Sequence, residues 1–117
     1  MCSNLTTDYY FSTIDKASAP EGADFAVVIE GHELEPYVRV GDRVFCSRSP
    51  LLRDGDVGIF LAGGKMLCRQ YCEDSLGNIH LFSVNRSLNH LDLHLESGEQ
   101  VFCFGKVLME NIPLPIE

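Results

Sequence analysis

A mostly β fold, a folded sheet or partly open barrel of short strands, is what this sequence predicts. Three observations carry that expectation. Turn-forming residues punctuate the chain at intervals of roughly eight to twelve positions, the rhythm of short strands rather than of helices. The runs between them are β-branched, aromatic or alternating, which suits a pleated surface with one or two buried faces. Only residues 34–38 have the makings of a single helical turn. The length of 117 residues fits one domain with a modest core. The expected organisation is an amino-terminal arm over residues 1–19, a folded domain over 20–111 and a tail over 112–117.

The elements follow in order. Residues 9–14 (YYFSTI) form a first, irregular strand, and Ser18-Ala19-Pro20-Glu21-Gly22 a loop, because proline lacks a donor and glycine frees the backbone. Residues 25–30 (FAVVIE) are nearly continuously apolar, as in a strand buried on both faces. Gly41-Asp42 turns the chain into 43–47 (RVFCS), and Arg53-Asp54-Gly55-Asp56 turns it into 57–62 (VGIFLA). Gly63-Gly64 suits a two-residue hairpin, since both residues tolerate positive φ, with 65–72 (KMLCRQYC) as the return strand. Leu76-Gly77-Asn78 leads to 79–84 (IHLFSV). Residues 91–95 alternate, with Leu91, Leu93 and Leu95 on one face and Asp92 and His94 on the other. Residues 100–109 form a closing strand with Gly105 at a bulge, and Pro113 and Pro115 keep the tail out of any central strand.

Charge and cysteine content exclude several classes. Nine basic against seventeen acidic residues leave a net charge of −8, which repels phosphate, so direct nucleic-acid binding by this chain is not expected. Cys2, Cys46, Cys68, Cys72 and Cys103 are odd in number and contain no C-x-x-C pair. Reduced, buried thiols of a cytoplasmic protein fit better than a disulfide framework or a zinc knot. The amino terminus lacks the basic and apolar runs of a signal peptide, and no stretch reaches the roughly 20 apolar residues of a membrane helix. No membrane association is expected.

Residue chemistry alone yields no active site. Glu30-Gly31-His32-Glu33-Leu34-Glu35-Pro36 opens like a zinc-protease helix, but that motif needs a second histidine where Pro36 stands. His90, Asp92 and His94 share a strand face and could in principle hold a metal, although such side chains usually just face water. Cys68 and Cys72 share a face without further ligands nearby in sequence. No Gly-x-Ser-x-Gly elbow is present, and Asp54-Gly55-Asp56 lacks the glutamate of a calcium loop. No metal or cofactor is expected.

Residues 20–36 (PEGADFAVVIEGHELEP) change the reading, because they resemble the catalytic segment of the LexA-like and phage-repressor-like family of self-cleaving Ser-Lys peptidase domains. Gly31, Glu35 and Pro36 match, Leu34 stands for methionine, and Gly41-Asp42 with Val44-Phe45 follow at the family's spacing. Residues 53–60 echo the next turn and strand, 63–71 the hairpin return "Gly-x-x-x-x-Lys-Arg-Leu-Tyr", Leu81-Phe82-Ser83-Val84-Asn85 the "Leu-x-Ser/Pro-x-Asn" segment, and 101–108 the closing strand. The resemblance implies the LexA and signal-peptidase type of folded sheet over about residues 20–110. It also places Glu33 where the family has its nucleophilic serine and Cys68 where it has its general-base lysine. His32, beside Glu33, belongs to the same turn.

A carboxylate offers no hydroxyl, and a thiol beside a carboxylate is held protonated rather than activated. Lys65 and Arg69, by strand alternation, are expected to point away from Cys68. The Ser-Lys reaction is therefore expected to be lost, with Glu33 a solvated turn residue and Cys68 a core thiol in the blandest case. No Ala-Gly, the pair the family commonly cleaves, precedes the matched segment, and Ser18-Ala19-Pro20 is a poor substitute because of its proline. The leading expectation is an inactive domain that dimerises and regulates a phage-repressor-like transcription factor, with DNA held by a separate amino-terminal domain. A protein-binding module resembling the accessory subunit of a translesion polymerase is the alternative, and a residual self-cleaving peptidase the third. The former groove could still hold an extended peptide, from the arm or from a partner, by strand addition.

Overall fold

The computed structural model describes residues 6–7, 9–12, 19–48, 51–62, 64–99 and 101–115. Its elements are β1 (Thr6–Thr7), β2 (Tyr9–Ser12), β3 (Phe25–Ile29), β4 (Arg43–Ser47), β5 (Val57–Ala62), β6 (Lys65–Glu73), β7 (Ile79–Phe82), the 3-10 segment η1 (Arg86–Leu91), β8 (Leu93–Leu95) and β9 (Phe102–Val107). The mostly β expectation holds. Strands β3 to β9 lie in the order β3-β4-β9-β5-β6-β7-β8, each antiparallel to its neighbours, in a folded sheet that does not close into a barrel. At one edge β2 pairs antiparallel with β3, while β1 pairs in parallel with the first residues of β6. Of the first expected strand, Tyr9–Ser12 is seen and Ile14 lies outside the described residues.

Local chemistry explains the joints. Gly64 takes φ 79° at the β5–β6 hairpin, where Ala62 pairs with Lys65; Gly63 lies outside the described residues. At residues 53–56 the Asp56 carboxylate accepts from Arg53 N at 2.8 Å while Gly55 takes φ 96°, so Asp54-Gly55-Asp56 is a turn. Between β5 and β9 the register shifts so that Ile59 faces Gly105 and Phe60 faces Cys103, leaving Phe104 as the extra residue of a bulge. A Cβ on Gly105 would fall on the Ser47 carbonyl and the Phe25 ring, which is why the bulge carries glycine.

Two expectations change. The alternating stretch 91–95 is a strand only from Leu93, because Asn85 caps η1 by accepting from Ser87 N at 3.1 Å and winds the chain before it. The start of the expected tail contacts the sheet, against the picture of a free appendage: Ile112 is buried, and the buried Gln70 side chain donates to Ile112 O at 2.6 Å.

The core gathers Val27 and Ile29 of β3, Val44 and Cys46 of β4, Val57 and Ile59 of β5, Met66 and Cys68 of β6, and Leu34 from the loop after β3. Residues 34–38 make one turn, with Val38 N donating to Leu34 O at 3.0 Å, and do not extend into a helix. No helix among the described residues is long and apolar enough to cross a membrane.

Candidate functional site

The loop between β3 and β4 carries Gly31 to Pro36 and is clamped from β7's side of the molecule. Asn85 N donates to Glu33 O at 2.7 Å, and Asn85 Nδ2 donates to His32 O at 3.0 Å. Ser83 Oγ lies 3.4 Å from the same Glu33 carbonyl. The Leu-Phe-Ser-Val-Asn segment thus fixes the backbone of the loop, a role that its local sequence does not announce. Leu34, fully buried, plugs the loop into the core, and the Glu35–Pro36 peptide is cis.

This clamping sends neighbouring side chains in opposite directions. His32 faces solvent with 65% of its side chain exposed and contacts Glu35 Oε2 through Nδ1 at 3.0 Å. Glu33 turns inward and is only 4% exposed. With His32 turned outward, Glu33 turned inward and Pro36 in place of the second histidine, the loop does not assemble the zinc-protease pair of histidines. The inward path runs over Gly31, where a Cβ would fall on the Glu33 carboxylate. Glycine at 31 is what lets Glu33 fold back.

The Glu33 carboxylate meets Arg69. Arg69 Nη1 lies 3.4 Å from Glu33 Oε2 and also donates to Cys68 O at 2.9 Å, while Nε donates to Leu91 O at 3.3 Å. Arg69 is 3% exposed. The expectation of a solvated Glu33 is therefore wrong, and Arg69, expected to point away from Cys68, reaches the Glu33 carboxylate and the Cys68 carbonyl. Strand alternation directs the Arg69 Cβ away from Cys68, but the long side chain reaches the Leu91 carbonyl at the end of η1 with Nε and a carboxylate with Nη1. A buried arginine needs such partners, because desolvating it alone costs several kcal/mol, about what its partners must return.

Cys68 is fully buried in β6 beside this pair. Burial raises its thiol pKa well above the ordinary value, the neighbouring Cys46 and Glu33 raise it further, and the Arg69 charge offsets only part of this. Cys46 is likewise pushed up to about 12 by burial. Cys46, Cys68, Cys72 and Cys103 are all free thiols. Iodoacetamide at neutral pH is expected to modify Cys103, the one of these four that is partly exposed, well before Cys46 or Cys68, which react only on unfolding; residue-resolved mass spectrometry reads the order, and early labelling of Cys68 would contradict a protonated, sealed thiol.

Strand β7 pairs with β6 from Gln70 onward, and among the described residues the start of β6 is paired with β5 on one side and with β1 on the other. Strand β1 pairs there with Lys65 and Met66, immediately ahead of Cys68, and the chain then runs on to β2 against β3. The arm therefore crosses from the strand that carries Cys68 to the strand that leads into Glu33.

His90, Asp92 and His94, which could in principle have held a metal, do not come together. His90 sits exposed in η1, and Asp92 is engaged by Arg86 Nη1 and Nη2 at 3.0 and 2.9 Å and by Ser83 N at 2.8 Å. Burial works against ionisation of Asp92, but the Arg86 and Ser83 hydrogen bonds outweigh it and lower its pKa. His94 instead faces His80 across the β7–β8 ladder, Nδ1 to Nδ1 at 2.8 Å. Among the described residues, no group of three or more His, Cys, Asp or Glu side chains converges as a metal site. Sequence reasoning missed His80 because His94 lies on the neighbouring strand, and it met Asn85 only within the Leu-x-Ser/Pro-x-Asn resemblance, which does not tell of its contacts to the loop.

The sequence profile described as Peptidase S24-like matches residues 2–108. No curated protein matches the sequence significantly.

Proposed function

Because this chain belongs to the Peptidase S24-like family, we propose that it is a catalytically inactive member that serves as the dimerisation and regulatory domain of a phage-repressor-like transcriptional regulator. In this reading Glu33 and Cys68 stand where the family resemblance puts the nucleophile and its base. The buried Glu33–Arg69 ion pair carries the proposal. A reactive centre needs an ionisable nucleophile open to substrate and a base beside it. Here a carboxylate is tied to a guanidinium, a protonated thiol is sealed beneath it, and the arm lies along the strand edge that a substrate would use.

DNA, with a chain of net charge −8, is left to a separate amino-terminal domain. The surface left for self-association is the closing strand rather than the tail, which Gln70 holds within its own domain. Phe102 is 59% exposed, meets Phe104 edge-on, and lines a cleft with Leu61, Ile79, Glu99 and Val101. A large exposed apolar side chain in such a cleft is a natural anchor for a protein partner. Sedimentation at high concentration is expected to show a dimer, and Phe102→Asp to shift it toward monomer. A strictly monomeric wild-type profile would count against the regulatory reading. Cleavage of a peptide spanning residues 1–24, abolished by Cys68→Ala, would overturn inactivity.

A further inference from the structure

Around strands β7 and β8, three side chains form a chain of contacts. Asp74 begins the β6–β7 turn, and its carboxylate accepts from Leu76 N, Asn78 N and Asn78 Nδ2 at 2.9, 2.9 and 3.1 Å. It also contacts His80 Nε2 at 3.0 Å. An ionised carboxylate only accepts, so His80 Nε2 carries the proton and, in the neutral ring, Nδ1 presents its lone pair. That lone pair faces His94 Nδ1, 2.8 Å away on the neighbouring strand. The ring of Phe82 stacks on His80 at 5.9 Å and meets His94 edge-on at 6.2 Å, which limits how either imidazole can turn.

We propose that His80 and His94 form a two-histidine site for a divalent transition-metal ion of the zinc class, bound between their Nδ1 atoms. A carboxylate holding the remote N–H of an imidazole, with the other nitrogen free to ligate, is the arrangement that orients metal-binding histidines and strengthens them as ligands. The backbone and side-chain donors around Asp74 fix that carboxylate before any ion arrives. Two zinc–nitrogen bonds of about 2.0–2.1 Å at a tetrahedral angle require the nitrogens to stand roughly 3.3 Å apart. The rings must therefore open by about half an ångström, a change within reach of small χ rotations on an edge strand. The ion takes the place of the proton shared between the rings, which passes to His94 Nε2 or to water. Remaining coordination positions fall to water, with Glu96 on the rim of the same cleft. The site is reachable: the His80 side chain is 24% exposed and His94 is exposed. The acidic balance of the chain raises the local cation concentration. Nothing in this inference depends on the fate of the peptidase centre.

Zinc chloride titrated into the full chain in a non-chelating buffer, with calorimetry and histidine ring-nitrogen NMR, tests the proposal. One equivalent is expected to bind with micromolar affinity, moving the Nδ1 resonances of His80 and His94 and leaving those of His32 and His90 in place. His94→Ala should abolish that binding, and Asp74→Asn should weaken it about 10-fold or more. Ring-nitrogen shifts in the wild-type chain keep the test valid even if a variant folds poorly. Absence of saturable uptake at millimolar zinc, uptake unchanged in His94→Ala, or shifts confined to other residues would overturn it.

Discussion

Arg69→Met is expected to destabilise the domain by about 3–5 kcal/mol, because it leaves the Glu33 carboxylate buried without the guanidinium that balances it. For a chain of this size that corresponds to a melting temperature lower by roughly 10–20 °C. Glu33→Met alone strands a positive charge instead, softened by the Cys68 and Leu91 carbonyls that Arg69 also reaches. Combining the two is expected to recover much of the loss, since an ion pair replaced by apolar side chains of similar volume is often neutral or better. A double-mutant cycle read by chemical denaturation should return a coupling of about 2 kcal/mol or more. Coupling near zero would mean that the two side chains are independently solvated, and the central support for an inactive centre would fall with it.

The second large effect concerns Leu34. Its side chain is fully buried and joins β3, β4 and β6 in the core cluster. Leu34→Ala is expected to cost about 2–5 kcal/mol, the loss of transfer energy plus a cavity. Leu34→Met, which restores the family's residue and conserves volume, should cost less than about 1.5 kcal/mol. The contrast matters more than either value. It separates a loop anchored by packing from one held only by the Asn85 and Ser83 hydrogen bonds, in which case both variants would behave alike. Thermal and urea unfolding of the two proteins decide it.

The strands were legible in the sequence wherever their boundaries are made by local chemistry. Gly41-Asp42, Gly55 and Gly64 mark turns because their backbone requirements are met by the residue itself. Gly105 could be placed at a bulge for a similar reason, although the atoms that forbid a side chain there, Ser47 O and the Phe25 ring, belong to distant strands. Alternation misled at residues 91–95, where a leucine pattern shared by a strand and the end of a 3-10 segment was resolved by a capping asparagine upstream.

The resemblance pointed to Glu33 and Cys68, which the structure places close enough to interact electrostatically. What it could not convey was the partner of Glu33, which comes from 36 residues away and from the side of β6 that alternation assigns elsewhere. Long side chains escape period-2 arguments because their charged ends reach several ångströms beyond the Cβ that the pleat directs. The same limit hid the His80–His94 contact: His94 was grouped with His90 and Asp92 along its own strand, whereas the pairing register joins it to His80.

One amide in the middle of β6 decides where this domain stops. Gln70 Nε2 lies 3.2 Å from Gly55 O, 2.6 Å from Ile112 O and 3.5 Å from Pro113 O, so a single buried side chain ties the β4–β5 connection to the segment after β9. For anyone trimming or grafting this domain, the consequence is practical. A cut after residue 111 would look harmless by the proline pattern, yet it would remove the acceptor of the amide's shortest bond and uncover the apolar seat of Ile112. The workable carboxyl boundary lies beyond Pro113, and it is dictated from inside the sheet.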